Sequence, residues 1–363
     1  MRKHWRLGAL AAVAVGVAAI VILTFAGRKP ARLNLLLVSI DTLRPDHLGA
    51  YGYAQARTPT IDKLAREGVT FEDVITSVPL TLPSHSSMLT GLSPLAHGIR
   101  DNANFRLADE FVTLAEVLRA NSYTTGAAVG AFILDRRYGL NQGFTYYDDD
   151  MSRGRQPSSF GYPERTADRV TASALEWLKT AHEPFMLFLH YYDPHAPYQP
   201  PAGFQNVAGG NPYDGEIAFT DQELGKVIAY LAAQHLLKRT LVILTADHGE
   251  GFGEHGEQTH GLLLYNGTLR VPLIIRVPEA SRLARVAGKA VRGTFQQQPA
   301  RTIDIYPTAL EILGYKQMTD VDGRSLVPML EGKTLPPVVS YFESMASYFS
   351  YRWCPLRGVR FNE

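Results

Sequence analysis

The chain has 363 residues, 45% of them hydrophobic and 20% charged, with 36 Lys and Arg against 35 Asp and Glu for a net charge of +1. This composition excludes a disordered chain, and with no long basic run beyond the N-terminus nucleic-acid binding has little electrostatic support. One cysteine, Cys354, excludes an intramolecular disulfide and a cysteine-rich zinc site.

The N-terminus carries Arg2, Lys3 and Arg6, and residues 7–27 are then uncharged and rich in Ala, Val, Leu and Ile. As a helix they would span roughly 30 Å, enough for a bilayer core. The run is longer than the apolar core of a usual signal peptide, which favours an uncleaved membrane anchor. Thr24-Phe25-Ala26 keeps a cleaved signal open. Arg28, Lys29 and Arg32 make the far flank basic too, so charge does not set the orientation. Either reading delivers the rest of the chain to the extracytoplasmic side, anchored or, if cleaved, secreted.

In chain order, residues 33–40 are almost all aliphatic and predict a strand buried on both faces of a parallel sheet. A helix is expected from Pro59 to Glu67, with Gly68 as its stop. Residues 113–119 read as helix, 124–129 as strand, 164–181 as helix and 185–189 as a buried strand. A helix over 221–235, strands over 241–246 and 273–277, and a helix over 302–313 closed by Gly314 complete the pattern. Residues 138–162 and 203–215 read as surface loops. The alternation predicts an α/β fold, a mixed sheet with helices on both faces. Residues 338–341 and 354–361 resemble strands. We divide the chain into an N-terminal segment and linker (1–32), a catalytic domain (33–335) and the start of a C-terminal subdomain (336–363) that looks incomplete.

Asp41 and Asp247-His248 each follow a buried strand. In open α/β sheets ligands bind beyond the carboxyl ends of the strands, so residues 206 positions apart can meet there. Two carboxylates and an imidazole suit a divalent metal. Either aspartate alone would pass for an ordinary cap. A third element, Thr81-Leu82-Pro83-Ser84-His85, opens a helix. It puts the Thr81 hydroxyl near free N–H groups and positive potential, although Thr81 alone is also a common capping residue.

This spacing resembles the nucleophile motif of the sulfatases, in the alkaline-phosphatase superfamily. That motif reads Cys or Ser, any residue, Pro, Ser, Arg, three residues, then Leu-Thr-Gly. The chain matches at Pro83, Ser84, Leu89, Thr90 and Gly91, and departs at Thr81 and His85. Residues 41–52, 97–100, 190–197, 247–256 and 270–274 extend the likeness. The resemblance implies the sulfatase-like fold and one divalent metal on Asp41, Asp247, His248 and Thr81, with Ca, Mn, Zn and Mg all open. It implies Thr81 as the nucleophile toward an anionic ester. His195, His260 (near where many sulfatases carry a Lys) and the pair His97 and Arg100 are the further candidates for acid–base or anion contacts. His190 and His255 rank below these. Thr42 stands where many sulfatases have a second ligating Asp.

Sulfatases of this family convert their Cys or Ser to formylglycine, and a Thr is not expected to follow that route. Relatives with a Thr nucleophile are phosphodiesterases and phospholipid-headgroup transferases, which favours phosphoryl chemistry over sulfate hydrolysis. The leading expectation is therefore a membrane-anchored hydrolase of phosphate or sulfate esters. The alternatives are an extracytoplasmic phospho-headgroup transferase and a catalytically silent binding module. The sequence leaves the oligomeric state open.

Overall fold

The structure is a computed structural model that describes residues 32–152, 163–316 and 320–361. The N-terminal anchor or signal segment lies outside these residues. Among the described residues no helix is long and apolar enough to cross a membrane.

The strands in chain order are β1 (Asn34–Ile40), β2 (Val69–Phe71), β3 (Val74–Ile75), β4 (Thr124–Val129), β5 (Tyr146–Asp148) and β6 (Phe185–Tyr191). They continue with β7 (Thr240–Thr245), β8 (Leu273–Arg276), β9 (Thr294–Gln296), β10 (Ala300–Arg301), β11 (Val339–Ser344) and β12 (Leu356–Phe361). Eight of them form one sheet in the order β5-β4-β6-β1-β7-β8-β2-β9. The strands from β5 to β7 are parallel, and β8 alone runs against its neighbours. Every residue of β1, β6 and β7 is buried, so both faces of the sheet are covered. Each large aliphatic or aromatic side chain withdrawn from water there contributes about 1.5–3 kcal/mol.

Helices Ala167–Leu178 and Pro212–Ala233 pack on each other, and Pro59–Glu67 packs on the second of them. A separate group is formed by Thr81–Thr90, Leu114–Ala120 and Ile305–Leu313. The first group lies so close to the sheet that a Cβ on Gly126 of β4 would come within 2.4 Å of the Trp177 ring. Helix Pro59–Glu67 buries Ile61, Leu64 and Ala65 and takes its cap from afar. Asp221 accepts from the amides of Thr60 and Ile61 at 3.0 and 2.8 Å.

Several boundaries differ from the pattern in the sequence. The expected helix at 221–235 begins at Pro212, inside a stretch that reads as loop. Asn211 caps it by accepting from the Tyr213 amide, and Pro212 supplies a favourable first-turn φ. Glycine at 215 misleads as a loop signal. It is there because a Cβ would meet the Phe204 carbonyl at 2.6 Å. The polar stretch from 138 contains the edge strand β5, and the helix expected over 164–181 is confined to Ala167–Leu178. A 3-10 turn, Thr302–Asp304, precedes helix Ile305–Leu313.

Strands β11 and β12 form a separate antiparallel pair. It is moored to the main body by Glu343 N donating to Ser77 O at 2.9 Å and by the Arg360–Asp73 ion pair at 2.6 Å.

Candidate active site

The adjacent strands β6, β1 and β7 deliver their carboxyl ends to one edge of the sheet. Ser39 pairs in register with His190 on one side and Thr245 on the other. Side chains alternate along a strand, so Asp41 and Asp247 follow Ser39 and Thr245 on the same face. This row of polar residues lies beneath helix Thr81–Thr90. His85 Nε2 reaches Ser39 Oγ at 2.9 Å, and Ser84 Oγ donates to the Asp247 carbonyl at 2.6 Å. The Pro-Ser of the motif thus has a mechanical reason: Ser84 ties the helix that carries Thr81 to the loop that carries Asp247.

Thr81 is itself the first residue of that helix, with Pro83 in the same first turn. Leu80 offers no capping side chain, and Asn102 takes that part, accepting from the Leu82 amide at 2.8 Å. The loop after β7 is pinned equally tightly. Gly249 N donates to Thr268 O at 2.8 Å, and a Cβ on Gly249 would lie 2.0 Å from the Gly267 carbonyl.

Asp41, Asp247 and His248 are fully buried, and each offers a ligand atom within 4.8 Å of the others. His248 Nε2 lies 3.6 Å from Asp41 Oδ1 and 3.4 Å from Asp247 Oδ2. His248 Nδ1 is 2.9 Å from the Gly249 carbonyl, which can only accept, so the ring proton sits on Nδ1 and Nε2 turns a lone pair inward. Among the described residues no aligned hydrogen bond reaches Asp41 Oδ1 or Oδ2, Asp247 Oδ2 or His248 Nε2. Burial raises the pKa of both aspartates, and for Asp247 the charge of Asp41 adds to it. Burial opposes protonation of His248, but Asp247 and Asp41 outweigh it and raise its pKa. Two buried carboxylates without a fixed positive charge are costly, by several kcal/mol per ion. The donor set and its unmet atoms fit a divalent cation.

The Thr81 hydroxyl faces the Asp41 carboxylate closely enough to lower its pKa against the effect of burial. Thr81 also lines a cavity of about 390 Å³ with Asn102, Tyr138, Tyr192, His195 and His260. The His260 ring lies 4.2 Å from that of His248 and 5.0 Å from that of His195. His260 Nδ1 is 2.9 Å from Oε1 of buried Glu250, and His195 Nδ1 is 2.7 Å from the Ala196 carbonyl. Both rings therefore carry their proton on Nδ1. Burial pushes the His195 pKa down to about 4 and that of His260 well below the usual imidazole range.

The structure thus brings together Asp41, Thr81, His195, Asp247, His248 and His260. It places the other two candidates in structural bonds. His97 Nε2 is 2.9 Å from Ser87 Oγ, and its Nδ1 accepts from the Ile99 amide at 3.0 Å. Arg100 clasps Glu343 of β11 with the Nε–Nη2 edge of its guanidinium, Nε donating to Oε1 at 2.6 Å and Nη2 to Oε2. Thr42 turns away from the cluster, donating to the Pro194 carbonyl at 2.9 Å. His255 is exposed and stacks on Tyr265. Sequence reasoning missed Glu250, Asn102 and His85. Glu250, in the same loop as His248, carried a signal, because an acidic residue beside a metal-type pair is a natural partner for a catalytic histidine, and His85 carried one as a departure from the motif's arginine.

The sulfatase family model matches residues 33–315, and the chain belongs to the sulfatase family, within the alkaline-phosphatase superfamily. Human arylsulfatase D is 24% identical, the match covering 82% of this chain and 68% of that protein. The multifunctional alkaline phosphatase superfamily protein PehA of Trinickia caryophylli is 27% identical over 83% of this chain and 78% of its own. The phosphonate monoester hydrolase of Agrobacterium radiobacter shares the fold, with a TM-score of 0.75 at 21% identity over 91% of this chain and 86% of that one. The chain spans about two thirds of the length of the first curated relatives it matches.

Proposed function

We propose that this sulfatase-family hydrolase cleaves phosphoryl-type esters, with Thr81 as the nucleophile that forms a covalent intermediate. The observation that carries this reading is the position of Thr81, at the start of a helix, facing Asp41 and opening onto the cavity lined by His195 and His260. Asp41, Asp247 and His248, together with Thr81, would hold a divalent cation, which would supply charge neutralisation and lower the hydroxyl pKa.

The remaining chemistry falls to the chain's own groups. The Thr81 hydroxyl gives its proton to solvent, the ionised oxygen attacks phosphorus, a new Thr81 O–P bond forms and the bond to the leaving oxygen breaks, and Thr81 returns as the ionised oxygen after the second step. Nε2 of His260 or His195 holds the proton at that oxygen. The anionic ester bound beside these rings raises their pKa, which offsets their burial. In the second step the same nitrogen takes a proton from water as water attacks phosphorus and Thr81 is released. A threonine ester has no hydrate from which to expel the group by elimination, and this favours phosphorus over sulfur. PehA and the phosphonate monoester hydrolase, by their names, set the precedent for phosphoryl substrates among the relatives. The uncharged apolar run at residues 7–27 supports an extracytoplasmic location at a membrane, which protease accessibility in intact cells would test.

The test compares turnover of an aryl phosphodiester and an aryl sulfate by the wild type and Thr81→Ala, after loading with Mn²⁺, Zn²⁺, Ca²⁺ or Mg²⁺. Phosphodiester turnover that is lost in the variant supports the reading. Aryl sulfate as the far better substrate contradicts the phosphoryl preference. Turnover only when an acceptor alcohol is supplied marks a transferase.

A further inference from the structure

A second cavity, of about 360 Å³, opens at the edge of the sheet opposite Thr81. It lies where β8 ends and β7 begins, because Arg276 pairs with Val242 and β7 starts at Thr240. Its walls come from the last turn of helix Pro59–Glu67, the turn before β7, the end of β8 and the segment leading to β9. Four cationic side chains line it, Arg66, Lys238, Arg276 and Arg292, against two carboxylates, Glu67 and Glu279. None of the six lines the Thr81 cavity.

Both carboxylates are already matched. Arg276 Nε donates to Glu67 Oε2 at 2.7 Å, Lys63 lies 3.9 Å from Glu67 Oε1, and Arg292 Nη2 lies 3.6 Å from Glu279 Oε1. Arg66 and Lys238 are exposed, and among the described residues neither side chain makes a hydrogen bond or ion pair. Arg276 is only 7% exposed. Its Nη1 donates to the Leu237 carbonyl at 3.0 Å, and its Nη2 donates to no group among the described residues. A buried guanidinium with unspent N–H groups, and two unmatched cations nearer the surface, form a donor set for phosphate oxygens. We propose that this cavity is an anion site that takes a phosphate group between Arg276, Arg66 and Lys238, with Arg292 at its rim.

Two sources offer that chemistry, the headgroup of an anionic phospholipid and a soluble phosphomonoester. The layout of the chain favours the lipid. The chain enters the sheet at this same edge, where Asn34 pairs with Thr240. Residues 28–33 separate β1 from the uncharged run at 7–27, and fully extended they reach at most ~22 Å. A bilayer that holds that run therefore has phosphates within reach of the edge, and Arg28, Lys29 and Arg32 enrich anionic lipid there. A headgroup seated in the cavity holds the Thr81 edge away from the bilayer surface.

The test follows hydrogen–deuterium exchange of the full chain in maltoside detergent, with phosphatidylglycerol, phosphatidylcholine or inorganic phosphate added. Slower exchange over residues 235–240 and 276–280 is expected with phosphatidylglycerol. If inorganic phosphate has no such effect the occupant is a lipid headgroup, and if it protects equally or alone the occupant is a soluble phosphate; each supports the anion site. The double variant Arg66→Gln, Lys238→Gln removes two exposed and unmatched charges, so its melting temperature and its turnover should match the wild type. The concentration of anion that gives half protection should rise at least tenfold in it. No protection of these segments by either anion, equal protection by zwitterionic phosphatidylcholine, or unchanged protection in the double variant overturns the proposal.

Discussion

His260 Nδ1 lies 2.9 Å from Glu250 Oε1, with the Glu250 side chain wholly buried and that of His260 nearly so. A carboxylate only accepts, so the pair fixes the proton on Nδ1 and leaves the Nε2 lone pair for the substrate. Removing the charge while keeping the shape, in Glu250→Gln, withdraws a negative neighbour and lowers the His260 pKa further. We expect kcat to fall roughly tenfold to a hundredfold, within what one positioned proton-transfer group contributes, with KM little changed. The limb of the pH–rate profile that His260 sets, the alkaline one for its proton-donating role in the first step, should move to lower pH. An unchanged profile would remove His260 from proton transfer.

Cation removal should be visible in stability. Asp41 and Asp247 are buried beside each other, and a cation that binds only the folded chain at a hundredfold excess over its dissociation constant adds about 2.7 kcal/mol. Chelation should lower the melting temperature and Mn²⁺ or Zn²⁺ should restore it. In Asp247→Asn the chelator effect should be much reduced.

His97 gives a pH-linked prediction away from the cation cluster. Burial pushes its pKa down to about 4, and its Nδ1 accepts from the Ile99 amide, a bond that protonation breaks. Between the usual imidazole value of about 6.5 and about 4 the unfolded chain binds the proton and the folded chain does not. Stability therefore falls as pH drops through that window. His97→Gln should lower stability at neutral pH and reduce the slope of stability against pH by about one proton. An unchanged slope would show that His97 titrates normally in the fold.

Arg100 and Glu343 join the β11–β12 pair to the segment that follows Pro94–His97. Glu343 is fully buried and also accepts from the Tyr341 hydroxyl at 2.6 Å. Arg100→Ala strands a buried carboxylate and should cost about 2–4 kcal/mol, near the range for breaking a buried pair. Adding Glu343→Gln should recover a good part of that loss in denaturant melts. Strictly additive losses would show the pair to be uncoupled. If Arg100 contacted substrate, the single variant would instead raise KM without changing stability.

Much of this architecture was legible in the chain. The aliphatic run before Asp41 and the one before Asp247-His248 marked buried parallel strands, and placing both aspartates at one sheet edge followed from topology alone. Thr81 was found by motif spacing. What stayed hidden had physical causes. Helix Pro212–Ala233 was obscured because Gly215 answers to a packing contact with the Phe204 carbonyl, not to a turn. Arg100 reads as an anion contact until its partner Glu343, 243 positions later, comes into view. His190 sits in an apolar strand where a histidine looks like a core residue. Only the in-register pairing with Ser39 shows that it lies in the polar row beneath His85.

The central claim is that Thr81 carries the transferred group. The most direct measurement is a rapid acid quench of the metal-loaded enzyme during turnover of an aryl phosphodiester, followed by peptide mass spectrometry. The account predicts a phosphoryl ester on the peptide containing Thr81, formed in a burst with aryl alcohol release and absent in Thr81→Ala. Sustained turnover by Thr81→Ala, or release without a burst and with no adduct on that peptide, would contradict it.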